Sequence, residues 1–250
     1  MILCWYFIWF IFYGIVGWEY ESIIRSIEGR RFINSGFLHG PYCPVYGLGA
    51  IMDIIILGSI ENIVLLFIFG AVLTSILEYI TAWLLEELFH AKWWDYSNYR
   101  FQIQGRVCLL GALVFGVFSV VLIKIVHPHV AYMTNIISSK VIWIVALILF
   151  GIIVTDSILT IINMIEFNKK LQDTQSTIND FFKESMARAN GIKKVIGENL
   201  KNNKVNEYIK MLVKRLNKQE KHLLIDFPRF KSTRYNEALQ KIKNMMFKKE

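Results

Sequence analysis

Charge and cysteine are both scarce in this chain. Only 19% of its 250 residues are Asp, Glu, Lys or Arg, against 54% hydrophobic and 14% aromatic; a soluble domain carries roughly a quarter charged residues. The apolar residues stand in unbroken stretches, which excludes a soluble globular fold, a disordered chain and a collagen-like scaffold. Three cysteines (Cys4, Cys43, Cys108) are an odd number with no C-x-x-C spacing, so neither a disulfide framework nor a zinc site is expected. No G-x-x-x-x-G-K-[ST] occurs; any ATP that drives this protein must be bound by a separate subunit. The opening residues MILCWYFIWFIFYGIVGW lack a basic n-region and a small-residue cleavage site. They are expected to be a retained first span, not a signal peptide.

What is present is enough apolar chain for several membrane crossings. Backbone in hydrocarbon must satisfy its polar groups internally, so these runs are helices of about 20 residues. Five spans are expected, over residues 2–24, 44–60, 63–89, 107–126 and 141–165. The second is short, the third is long enough to tilt or run into the interface, and the fourth is closed by His127-Pro128. The expected fold class is all-α: a polytopic membrane protein with about five transmembrane helices over residues 1–165 and a basic cytoplasmic helical tail over 166–250.

Charge divides the chain at the same point. Residues 1–165 hold eight Lys/Arg against ten Asp/Glu, and residues 166–250 hold twenty against ten. Arg25, Arg30 and Arg31 follow the first span, and Lys92, Arg100 and Arg106 follow the third. The opposite loops carry only Glu61 and Lys140. The positive-inside rule then places the amino terminus outside and the tail in the cytoplasm of a multi-pass cell-membrane protein. The bilayer is the first partner. Anionic lipid headgroups would attract the tail by about 1 kcal/mol per basic residue at the surface, and nucleic acid is not expected. The plain reading of the tail is a solvated cytoplasmic segment.

Within the tail, apolar residues recur at helical spacing: Ile178, Phe181, Phe182, Val195, Ile196 and Leu200, then Tyr208, Ile209, Leu212, Val213 and Leu216. This pattern predicts two or three amphipathic helices interrupted near Gly191 and Gly197. Pro228 breaks the next segment, and residues 236–247 form a last short basic helix.

Two loops, both on the cytoplasmic side by this topology, are rich in unusual residues. The first, GFLHGPYCPVYG (36–47), is dense in glycine and proline and cannot be a plain helix. It reads as a shaped or re-entrant loop, which must be buried in protein or line a cavity. It is either a rigid connector or a loop whose His39, Tyr42, Cys43 and Tyr46 face a pocket. Cys43 near His39 would permit a thiol nucleophile, but the spacing is no specific motif. The second, WWDYS (93–97) running on to Gly105-Arg106, reads plainly as an interfacial aromatic belt. Asp95 and Arg106 fit that reading less well. A cation near a helix amino terminus is disfavoured by the macrodipole, and Asp95, Glu86 or a phosphate would offset the cost.

The intramembrane acids are the sharpest signal. Glu19, Glu21, Asp53, Glu78, Glu86, Glu87 and Asp156 fall in or at the ends of spans, where a carboxylate costs a few kcal/mol and faces a partner or a cavity. At about 100° per residue Glu78 and Glu86 lie about 80° apart on one broad face. For Asp53 and Asp156 a satisfied interhelical hydrogen bond is the plainer reading. The candidate cavity or substrate-binding residues are Glu78, Glu86, Asp95, Arg106, His39, Tyr42, Cys43, Tyr46, Tyr96 and Glu19. No catalytic residue is assigned, and no metal or cofactor is expected.

The loop GFLHGPYCPVYGLGA, the stretch LEYITAWLLEELFHAKWWDYSNYRFQIQGRVCLLGALVFG and the later LLIDFPRFKSTRYNEALQKIK together resemble the bacterial putative ABC-transporter permease family (type IV). The family signature falls here on Gly40, Pro41, Cys43, Pro44, Tyr46 and Gly47; on Glu78, Tyr79, Glu86, Trp93, Trp94, Asp95, Tyr96 and Ser97; and on Gly105, Arg106, Cys108 and Leu109. At position 39 the family pattern more often has Asn, which weighs against imidazole chemistry at His39. The resemblance implies a transport role, with a separate ATPase subunit or a homo-oligomer as partner. Three readings follow. One is a permease-like subunit with a cytoplasm-facing polar cavity lined by intramembrane carboxylates. Another is a membrane-embedded enzyme acting on a lipid or lipid-linked substrate, with Glu78 or Asp95 as base and Arg106 as phosphate anchor. The third is a structural or sensory protein whose output is its tail.

Overall fold

Four helices of the computed structural model, which describes residues 2–187 and 205–247, are long and apolar enough to cross a membrane. They are α1 (Ile2–Gly29), α3 (Ile63–Phe89), a helix running from α4 (Leu109–Val121) through a π turn (Leu122–Val126) into α5 (His127–Ile136), and the first part of α6 (Ser139–Ala187). A fifth apolar helix, α2 (Pro44–Leu57), has 14 residues. Residues 205–215 form α7, followed by α8 (Lys218–Asp226) and α9 (Asn236–Phe247). Four two-residue strands, β1 (Ala91–Lys92), β2 (Gln102–Ile103), β3 (Val107–Cys108) and β4 (Lys231–Ser232), make two antiparallel pairs, β1–β4 and β2–β3. The fold is an all-α polytopic membrane protein.

Local chemistry sets the helix ends. Pro44 opens α2, and Cys43 before it is extended (φ −118°, ψ 101°), as a residue preceding proline prefers. Asn62 caps α3, its Oδ1 accepting from the amides of Val64 and Leu65 at 2.9 and 3.1 Å, so two orphan donors are satisfied. The fourth span, expected to close at Val126, instead runs on to Ile136. A π turn ends with the His127 amide donating to the Leu122 carbonyl, which absorbs the donor that Pro128 lacks.

The chain divides into two compact units, residues 1–85 with 94–160 and residues 86–93 with 161–250. In the first, α1 and α2 pack together while residues 30–43 run back along α1. The Ile33 amide reaches Ser26 Oγ (2.9 Å), the Ser35 amide reaches Ser22 Oγ (3.1 Å), and the Cys43 amide reaches the Gly14 carbonyl (2.9 Å). Cys43 is thus level with Gly14, about 22 Å back from the end of α1 at 1.5 Å per residue. From there α2 continues the return, with Gly47 against the carbonyl of Phe10. At about 21 Å, α2 is shorter than a full crossing. Leu57, Leu66 and Ile123 form a buried cluster among α2, α3 and the π turn, and Lys124 Nζ donates to the Ile60 carbonyl at 2.8 Å.

The second unit is built on the later part of α6, which passes residues 165–166 without a break. Phe167, Leu171, Ile178, Ile209, Leu224, Phe230, Leu239 and Ile242 are its buried core. The expected stripe on α7 is present, with Ile209 buried and Tyr208, Leu212 and Val213 half-buried, and Leu216 buried just past its end. A capping box joins Asn217 and Glu220 at the start of α8. The buried Glu220 carboxylate also accepts from Lys170 Nζ at 2.7 and 2.9 Å. β4 pairs with β1, Thr233 donates its amide to the His90 carbonyl at 2.8 Å, and Trp93 packs edge-on against Phe230. Lys243 is buried, donating to the carbonyls of Pro228 and Phe230; burial, with Lys231 adding repulsion, holds its pKa down to about 8. Helix α9 spans the residues expected from sequence. The side chains of Phe181 and Phe182, together with Gly191, Val195, Ile196, Gly197 and Leu200, lie outside the described residues.

Candidate functional site

The first unit encloses a cluster of acids and tyrosines drawn from α1, α2, α3 and the loop before α4. Glu78 of α3 is buried. Its Oε1 accepts from the Tyr96 hydroxyl at 3.1 Å, and its Oε2, also buried, has no hydrogen-bond partner among the described residues. Glu21 of α1 pairs with Arg25 one turn on and takes a hydrogen bond from Tyr46 of α2. It lies within electrostatic reach of Glu78, Tyr96 and Cys43. The buried Glu78 and the half-buried Glu21 thus come from different helices, each with a phenol hydrogen-bonded to it. A buried carboxylate oxygen without a partner carries a desolvation penalty, and retaining one marks a place where a proton, cation or donor group can bind.

The hairpin β2–β3 aims Tyr96 at Glu78. Phe101, Gln104 and Gly105 all have positive φ (53°, 53° and 70°), which turns the chain tightly. The Tyr96 amide donates to the Gly105 carbonyl at 2.8 Å, and the Trp94 indole to the Arg106 carbonyl at 2.9 Å. Asp95 caps its own turn by accepting from the Ser97 amide (3.0 Å) and hydroxyl. A Cβ at Gly105 would sit 2.7 Å from both Asp95 Oδ1 and Ser97 Oγ. Gly105→Ala is expected to cost about 2 kcal/mol and to lower the melting temperature in detergent by about 4–8 °C. Trypsin should also cut faster at Arg100 and Arg106. Unchanged melting and cleavage would contradict this account of the turn.

A second polar centre, on Asp156 of α6, holds the first loop. Asp156 accepts from the amides of His39 (3.0 Å) and Gly40 (2.8 Å), from the Tyr42 hydroxyl, and from His39 Nδ1 at 2.7 Å, with Thr160 Oγ1 2.9 Å from the same nitrogen. Non-helical backbone needs such partners where water is absent. A carboxylate offers about four acceptor directions, enough for this set. A fourth acid, Asp53 of α2, is buried against Ser119 of α4, its Oδ1 without a partner among the described residues.

The expected site residues fall in different places. Glu78, Tyr46 and Tyr96 come together in the interior, with the buried Cys43 beside Glu21. His39 and Tyr42 belong to the Asp156 centre. Asp95 serves the turn. Arg106 donates from Nη1 to Tyr79 and Gln104 and stacks over the Tyr79 ring. Glu86 lies in the second unit, 3.6 Å from Lys92. Glu19 is exposed on α1. Among the described residues no three His, Cys, Asp or Glu side chains gather as a metal site. Sequence reasoning left Glu21, Arg25 and Asp156 out of the site. The available signal for Glu21 was phase, because at 100° per residue it faces about 200° away from Glu19. For Asp156 there was none beyond its depth in the span.

No curated protein and no solved structure matches the chain. A family model described as "Putative ABC-transporter type IV" matches residues 8–161, more than half of the chain. That stretch contains most of α1, all of α2 to α5, both shaped loops, Glu21, Glu78 and Asp156. The residues that make the fold unusual are therefore those the family shares a model for, and the chain belongs to the family described as putative ABC-transporter type IV.

Proposed function

We propose that the chain is a permease-like membrane subunit whose polar interior, lined by Glu21, Glu78, Tyr46 and Tyr96, opens toward the cytoplasm and binds the transported species or a coupling cation or proton. The observation that carries this reading is the buried Glu78, whose Oε2 has no partner among the described residues, with the half-buried Glu21 of another helix within its electrostatic reach. The return of the chain through residues 30–57 supports five crossings in all, an odd number. Arginines after α1 and a basic tail support an amino terminus outside and a tail in the cytoplasm. There the tail meets anionic headgroups and a separate ATPase subunit, because the chain has no P-loop of its own.

Mild-detergent pull-down of the full chain is expected to recover a nucleotide-binding subunit, and the complex in proteoliposomes to move a solute in an ATP-dependent way. Glu78→Gln should lower that flux about ten- to a hundredfold while leaving the melting temperature unchanged or raised, because it removes an under-partnered buried carboxylate. Recovery of the chain without any ATPase, or full flux in Glu78→Gln, would overturn the reading.

A further inference from the structure

An apolar groove of about 570 Å³ runs along α3 and α4, from Phe67 to Ile80 on α3 and from Leu109 to Leu113 on α4. Val72, Ile76 and Leu113 line it and stand about half exposed, while the small Ala71 and Ala112 leave room between the helices. The Ser75 hydroxyl in the groove is spent on the Ala71 carbonyl at 2.6 Å, so the trough makes no polar demand on an occupant. Its polar end differs. There Tyr79 accepts from Arg106 Nη1 at 2.8 Å and donates to Gln104 Oε1 at 2.8 Å, and the guanidinium lies 5.0 Å from the Tyr79 ring centroid.

Length and charge together identify an occupant. Phe67 to Ile80 is thirteen helical steps, about 20 Å, a little more than one leaflet of a ~30 Å hydrocarbon core. A cation stands at one end, beside Tyr79 and with the Trp94 indole on its carbonyl, the aromatic types that collect at the headgroup level. We infer that this groove is a binding site for one anionic phospholipid, with an acyl chain along α3 and α4 and the phosphate on Arg106. Arginine suits this role because its planar fork of donors matches phosphate and it stays charged. The site does not depend on the transport reading; it needs only the bilayer.

The test uses the full chain in detergent, titrated separately with phosphatidylglycerol, phosphatidylcholine and inorganic phosphate. Retained lipid is read by native mass spectrometry and stabilisation by melting temperature. Phosphatidylglycerol is expected to be retained and to raise the melting temperature more than phosphatidylcholine, with phosphate alone inert. Arg106→Gln should weaken retention of phosphatidylglycerol about tenfold and erase its preference over phosphatidylcholine, whereas Arg106→Lys keeps the preference. Ala112→Phe, which fills the trough without touching the charge, should reduce retention of both lipids. Equal retention of the two lipids by the wild type, a full phosphate effect, wild-type retention in Ala112→Phe, or a lipid-free dimer with the groove covered by a second copy would each overturn the inference. Should Arg106→Gln not fold, the lysine variant and Ala112→Phe still decide.

Discussion

Asp156→Ala is expected to destabilise the membrane unit by about 3 kcal/mol or more and to release the first loop. Removing the carboxylate strands the amides of His39 and Gly40 and the hydroxyl of Tyr42 together, in a segment with no helix to satisfy them. The buried Tyr42 hydroxyl and the half-buried Gly40 amide each cost about 1–3 kcal/mol when stranded, the exposed His39 amide costs less, and partial collapse of the loop recovers some of it. Asp156→Asn should fall between, since its amide keeps an acceptor oxygen but loses the charge and the second acceptor. Two measurements check this. The melting temperature should drop for Ala more than for Asn, and Cys43, buried in the wild type, should become labelled by maleimide at a rate quantified by peptide mapping. Slow Cys43 labelling in Asp156→Ala would mean that the loop is held from α1 alone.

Gly47→Ala is expected to be comparably damaging, at about 2–3 kcal/mol. Its Cβ would lie 2.3 Å from the backbone carbonyl oxygen of Phe10 and 2.9 Å from the Phe10 ring. A backbone atom cannot swing aside, so α1 and α2 must part along the face where small residues let membrane helices approach. Gly151→Ala is the matched control. Nothing lies within 4 Å of a Cβ there, and replacing a mid-helix glycine gains up to about 1 kcal/mol. Unfolding titrations should therefore shift in opposite directions for the two alanine variants. If Gly47→Ala unfolds with the wild type, the close α1–α2 approach is not what holds the short helix in place.

Much of the architecture was legible because membrane burial writes itself into composition. Long apolar runs marked α1, α3 and the first part of α6, proline and glycine marked the loop over 36–47 as non-helical, which holds up to Cys43 before Pro44 opens α2, and residues 236–247 were delimited to the residue. The errors lie where one residue's effect depends on a partner elsewhere. Pro128 was read as a stop, but a π turn carries the helix past it to Ile136. The short second span could be placed, yet nothing local told how residues 30–43 would satisfy their amides. The serines that do so sit on α1 and the carboxylate on α6, more than a hundred residues away for Asp156.

The candidate site divides in the same way. From sequence alone came the membrane class, the scarcity of charge that makes every intramembrane acid conspicuous, the absence of a P-loop, and Glu78 as the first residue to examine; hydrophobicity and residue type are properties of positions, so a string of residues carries them. Tertiary structure alone decided that Glu21 and not Glu19 turns inward, that Asp156 collects the loop bearing His39 and Tyr42, and that Tyr96 reaches Glu78. Those are properties of pairs, set by how helices rotate and pack against one another, and the short range of hydrogen bonds makes a shift of one residue in phase enough to lose them.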